Sequence, residues 1–265
     1  MKVAVGVTPL ADWSVVRAGA IAADEAGLDA VFVWDHYHSA RPEWGYVGGW
    51  SAMGALAALT QRVHIVPMVL NAPHYQLGVL AKESSVLANV SGGRFELGIG
   101  AGDWPESFGA WSETFDPAPT RLERLREVIE ALRHLWTGQP VTSRGKHVVL
   151  DGAICSPPPM APPRIIVGAG TSRRIIALAT ELADEVNVYP ETDVLLDARR
   201  AIDASGRDVR LSIHADWSWT SWPDDPRAAL ARFAEAGVDR AFVACGGEDL
   251  PARIGVLADG AASVS

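Results

Sequence analysis

The sequence predicts a (β/α)₈ barrel of the TIM type, and three observations carry that prediction. Short β-branched runs alternate with amphipathic or Ala-rich stretches eight times in order. Such alternation implies a parallel sheet. The eight units average about 33 residues, which matches a barrel of roughly 250 residues, whereas eight would be many for the alternative, an open doubly wound sheet. Polar and glycine-rich residues gather just after the β-branched runs, where a barrel places its site.

The elements follow in order. Residues 3–7 lie in MKVAVGVTPLADW, whose single Lys and short alternating apolar run read as a first strand and not as a secretion signal. A helix over 14–26 ends at Gly27, placed as a C-cap glycine. Strands at 29–34, 64–70 and 95–99 lead to helices at 50–60, 77–89 and 119–136. Residues 141–150, with Arg144-Gly145-Lys146 between β-prone runs, read as a small inserted hairpin. Five prolines within 155–163 require an extended chain, read as returning beneath the barrel. Strands at 164–167, 185–188, 210–214 and 240–244 then alternate with helices at 172–182, 192–204, 226–236 and 249–257. Gly206 and Gly237 again stand as helix exits, and with no linker in sight residues 1–265 read as one domain.

Composition narrows the function. A hydrophobic content of 48% is that of a packed domain and not of a disordered chain. With 23 Lys and Arg against 32 Asp and Glu, the net charge of −9 argues against a nucleic-acid partner. Cys155 and Cys245 make neither a disulfide framework nor a zinc site by themselves, which suits a reducing cytoplasm. No apolar run has the length of a membrane span. Ten Trp against six Phe is read either as ordinary packing or as the wall of a cavity for a flat ligand.

The residues after each strand carry the candidate chemistry. His36 is the leading acid/base group, because only imidazole titrates near neutral pH unaided, and Asp35 beside it can accept a hydrogen bond from a cofactor. Gly98-Ile99-Gly100-Ala101-Gly102 has the spacing GxGxG followed by Asp103, so it fails the dinucleotide fingerprint and suits close approach of a flat ring instead. Gly168, Ala169, Gly170, Thr171, Ser172 and Arg173 enter a predicted helix whose free N–H groups can hold a phosphate. No metal-ligand spacing, G-x-S-x-G elbow or P-loop occurs.

Several collinear segments resemble the luciferase-like monooxygenase superfamily. They are Gly27-Leu28-Asp29-Ala30-Val31-Phe32-Val33-Trp34-Asp35-His36, Leu56 through Val63, Ser91-Gly92-Gly93-Arg94-Phe95-Glu96-Leu97-Gly98-Ile99-Gly100-Ala101-Gly102, Arg121 through Trp136, Pro163 through Gly168, and Ala177 through Asn187. The resemblance implies a barrel that binds FMN or the deazaflavin coenzyme F420 at its strand ends. It points first to an F420-dependent oxidoreductase moving a hydride to or from a small organic substrate. A two-component monooxygenase using reduced FMN and a non-catalytic flavin-binding barrel are the alternatives. By the same resemblance the catalytic set is His36 with Trp44 nearby and Asp103 or Glu106 as acid. The cofactor set is Asp35, Leu70, Asn71, Ala101 and Gly102 at the ring and Gly168, Ala169, Gly170, Thr171 and Arg173 at the phosphate tail. A non-prolyl cis bond is expected within 67–70. A homodimer and a separate cofactor-reducing enzyme are implied as partners. The Lys and Arg residues that hold sugar phosphate in the dehydrogenases have no counterparts in 209–247, so a different substrate is expected.

Overall fold

The computed structural model describes residues 1–7, 12–39, 45–217, 222–245 and 249–264. Its elements in chain order are β1 (Lys2–Gly6), α1 (Trp13–Glu25), β2 (Ala30–Val33), α2 (Gly49–Leu59), β3 (His64–Pro67), β4 (Leu70–Asn71), α3 (Leu77–Val90), β5 (Leu97–Gly100), α4 (Pro105–Ala110) and α5 (Ala118–Leu135). They continue with β6 (Val141–Arg144), β7 (Val149–Ala153), β8 (Ile165–Gly170), α6 (Arg173–Leu182), β9 (Glu185–Val188), α7 (Thr192–Ser205), β10 (Arg210–Asp216), α8 (Pro226–Glu235), β11 (Arg240–Ala244) and α9 (Leu250–Ser263).

Every residue of β2, β5, β9 and β11 is buried, as expected of parallel strands covered on both faces. The ladder order is β3-β2-β1-β11-β10-β9-β8-β5-β4, all parallel. It closes where the Ile65 amide donates to Arg94 O at 3.0 Å and the Glu96 amide donates to Ile65 O at 3.1 Å. The barrel is therefore eight-membered, with β3 and β4 as two halves of its third strand. The halves are separated by the cis Met68–Val69 peptide, inside the stretch the sequence singled out.

Helix starts follow the capping rules. Asp12, Ser172 and Asp225 accept hydrogen bonds from Ser14 N, Ile175 N and Ala228 N at 2.7, 3.4 and 3.1 Å, satisfying amides that have no partner within the helix. Gly206 ends α7 at φ 63°, where a side chain would be strained.

Three local readings are corrected. The hairpin runs on to Ala153. Residues 168–170, read as the entry to a helix, belong to β8, with a register irregularity against β9. The proline-rich segment lies along α3: Ser85 and Asn89 donate to the carbonyls of Pro157 and Pro158 at 2.6 and 3.0 Å, and the Met160 amide donates to Asn89 Oδ1 at 2.7 Å. Prolines have carbonyls but no amides to pair in a ladder, so the polar side chains of α3 take those acceptors.

The outer core lies between barrel and helices, and a smaller cluster of Ala4, Ala30, Phe32, Val66, Met68, Ile166, Phe242 and Ala244 fills the barrel itself. Below it, at the amino ends of the strands, the Arg240 guanidinium is 1% exposed. It lies 2.5 and 3.2 Å from Glu96, 3.0 Å from Asp29 and 3.8 Å from Glu185.

Candidate active site

Above that core, at the carboxyl ends of the strands, opens a cavity of about 860 Å³. Its wall is built strand by strand: Trp34, Asp35 and His36 after β2, Asn71 on β4, Gly100 to Asp103 on and after β5, and Gly168 to Gly170 on β8. Tyr189 to Glu191 follow β9, and His214 to Trp217 lie on and after β10. Asp35, Asn71, Asp103 and Gly170 thus share one mouth.

The floor is made by missing side chains. A Cβ on Gly98 would stand 1.9 Å from Pro67 O, one on Gly100 would stand 2.9 Å from Val69 Cγ2, and one on Gly168 would stand 3.0 Å from Val69 Cγ1. Two strands, β5 and β8, therefore leave room for the Val69 side chain, which lines the cavity.

Asp35 is 6% exposed, with its two oxygens held by different donors. Oδ2 accepts from the Asn71 amide at 3.1 Å, and Oδ1 accepts from the Tyr75 hydroxyl at 2.8 Å. Burial raises its carboxyl above the usual range, and these two bonds only partly offset that. His36 sits among Trp34, Tyr46 and Trp104, with the Trp104 ring edge-on at 5.7 Å. Burial lowers its pKa, opposed by the charges of Asp103 and Asp35, so the imidazole is neutral at pH 7.

Two residues escaped the sequence reading. His214 looked like one more strand residue, yet it lines the cavity with its Nδ1 buried and without a hydrogen-bond partner. Burial pushes it down to about 4, so it too is neutral. Its place in a β-branched run hid it; only the alternation of inward positions 212, 214 and 216 along β10 pointed to it. Arg121 shapes the rim from outside. Its guanidinium donates to Ala101 O at 3.2 Å, to Gly102 O, and to Asp116 O at 2.9 Å, and it lies over the Phe115 ring.

Other candidates fall elsewhere. The Leu70 side chain is buried in the outer core, and Glu106 is exposed in the first turn of α4. Thr171 is exposed, and Arg173 Nε pairs with Asp197 at 2.6 Å. None of these four lines the cavity. Trp44 lies outside the described residues. Among the described residues no group of three or more His, Cys, Asp or Glu is placed to hold a metal ion, and no helix is long and apolar enough to cross a membrane.

The family model for luciferase-like monooxygenases matches residues 2–251. The chain belongs to that family. Among its curated relatives, an F420-dependent glucose-6-phosphate dehydrogenase of Nakamurella multipartita is 33% identical over 204 residues, covering 71% of this chain and 58% of the relative. A 5,10-methylenetetrahydromethanopterin reductase of Archaeoglobus fulgidus is 31% identical over 164 residues, covering 62% and 46%. These family members are longer proteins, of which the chain spans about half. A solved F420-dependent secondary alcohol dehydrogenase superposes with a TM-score of 0.86 at 18% identity, covering 100% of this chain and 99% of the other, so this member shares the whole fold. The monooxygenase RslO1 of Streptomyces bottropensis superposes with a TM-score of 0.80 at 19% identity, covering 98% of each chain.

Proposed function

We propose that the chain is an F420-dependent oxidoreductase acting on a small, non-phosphorylated organic substrate. The observation that carries this reading is the cavity itself, of ligand size and built around Val69 by three glycines. The names of the sequence relatives support a deazaflavin over FMN. The residues suit such a group. Gly100 and Gly168 make room for the Val69 side chain on the cavity wall, and Asn71 Oδ1 is buried on that wall without a partner. Gly168 to Gly170 lead into the amino end of α6, where a helix favours an anion. When bound, F420 supplies hydride transfer at C5 of its ring.

The chain's own part is to bind, to exclude water and to handle the proton that accompanies the hydride. His36 is neutral and therefore ready to accept a proton. Its loss of activity in acid is expected below the ordinary histidine range, because burial lowers its pKa.

Titration of the purified chain with F420 and with FMN, read by ligand fluorescence, tests the cofactor. Tighter binding of F420 is expected; tighter FMN binding, or binding of neither, overturns the reading. On a substrate found from a panel of alcohols, enones and imines, His36→Ala is expected to cut turnover by about 10²–10⁴-fold while F420 affinity holds. A normal rate would move the role to a carboxylate, and turnover absent in the native chain would favour a non-catalytic barrel.

A further inference from the structure

Asp35 lines the cavity, yet the hydrogen bonds of its carboxyl group lead away from it. Oδ1 accepts from the Tyr75 hydroxyl at 2.8 Å, and the Tyr75 oxygen lies 2.6 Å from the Tyr37 oxygen. Tyr37 is 48% exposed. Three oxygens in contact thus join the cavity wall to bulk water. Tyr75 has one hydroxyl hydrogen and gives it to Asp35, so at the other contact it accepts from Tyr37. Tyr37 in turn has lone pairs free to accept from water. All the hydrogens along the line point inward.

We propose that Tyr37 and Tyr75 are a proton relay to Asp35, so that this buried carboxyl exchanges its proton with bulk water through the wall of the barrel and not through its mouth. The proposal rests on the oxidoreductase reading above. In the inward direction water delivers a proton to the Tyr37 oxygen, the Tyr37 hydrogen moves to the Tyr75 oxygen, and the Tyr75 hydrogen moves to Asp35 Oδ1. Three O–H bonds form as one O–H bond of hydronium and two phenolic O–H bonds break. The net change is one proton moved from water to carboxylate, with both phenols neutral before and after. Run in reverse, the line returns the proton from Asp35 to water.

The surroundings agree with a relay that never forms a phenolate. Burial, then the charge of Asp35, raise both phenols above their ordinary value. Burial likewise raises Asp35, which brings its protonated form within reach, while His74 and His36 act in the opposite sense. At the outer end the His74 ring meets Tyr37 edge-on at 5.5 Å, and His74 Nδ1 is bonded to the Glu113 carboxylate. The second oxygen of Asp35 is fixed by the Asn71 amide, so the carboxyl stays aligned while Oδ1 gains or loses its proton.

A tether that merely satisfies a buried carboxylate would have the same geometry, so the test must read rate. The protonated-carboxyl infrared band of Asp35, assigned by its loss in Asp35→Asn, is followed after a light-triggered pH jump. It is measured on the chain alone, where Asp35 is already shielded, and again with F420 bound. Tyr75→Phe is expected to slow protonation of Asp35 by at least about tenfold, and Tyr37→Phe by about threefold, since water can then reach the Tyr75 oxygen. An unchanged rate in Tyr75→Phe, or no titrating band that Asp35→Asn removes, overturns the relay. Should Tyr75→Phe fail to fold, Tyr37→Phe decides alone, and an unchanged rate there overturns it. Failure of the cofactor reading shows separately, as F420 fluorescence unmoved by the chain.

Discussion

The two ends of the barrel bury carboxylates by opposite means. At the foot, Glu96 is held by two contacts to the Arg240 guanidinium, and the ionised form wins: burial works against it, but the hydrogen bonds and charge of Arg240 bring its pKa below the usual range. At the mouth, Asp35 has an amide and a phenol in place of a guanidinium, and burial wins, raising its pKa. Glu185 shows the boundary between the two. It shares the foot, but at 3.8 Å from Arg240, and burial pushes it up to about 7. A charge partner in good geometry fixes a carboxylate as structure; neutral donors leave it able to change state.

That contrast can be broken most severely at Arg240. Arg240→Met strands Asp29, Glu96 and Glu185 around an apolar side chain, and a loss of about 3–5 kcal/mol in chemical denaturation is expected.

The next largest effect is one of pH. The folded-state pKa of Glu185 lies above its unfolded value, so the native chain holds an extra proton between about pH 4.5 and 7, and stability falls as pH rises through that window. Glu185→Gln is expected to remove up to about 3 kcal/mol of that fall, seen as a flatter profile of unfolding free energy against pH.

A matched pair of neutral substitutions then compares the two ends directly. Glu96→Gln is expected to cost about 2 kcal/mol, because charge-assisted bonds to a buried guanidinium are lost, and Asp35→Asn less than about 1 kcal/mol. Equal costs would erase the distinction drawn here.

The smallest change is expected at Arg173. Its pair with Asp197 is exposed, so Arg173→Ala shifts stability by less than about 1 kcal/mol. Unchanged F420 affinity in that variant would leave the amino end of α6 as the anion site, and a marked loss would restore Arg173 to it.

Much of the fold was legible because parallel strands buried on both faces leave a plain trace of β-branched runs, from 3–7 through to 240–244. The mouth was legible to the extent that it follows strands: Asp35, Asn71, Asp103 and Gly170 stand where a barrel puts its site. What stayed hidden depends on contacts between distant parts of the chain. Arg240 meets Glu96 across 144 residues, and nothing local marks it as other than a surface arginine. Nothing local ties Tyr75 to Asp35 either, since the bond between them spans 40 positions. Arg173 reads as an anion ligand from its place at a helix start, and only the fold sets Asp197 next to it.

The glycines around Val69 carry a consequence for how such a sequence can drift. Positions 69, 98, 100 and 168 come from three different strands, yet they occupy one shared volume. A methyl group gained at position 100 or 168 has to be given up at 69, while position 98 has no such exchange open to it, because its obstacle is the Pro67 backbone oxygen. Descendants of this chain are therefore free to trade bulk among three of these positions in step, while bulk added at 98 or 100 alone is closed to them. The depth of the cavity is inherited through a linked set of three residues, 69, 100 and 168, and not through any one of them.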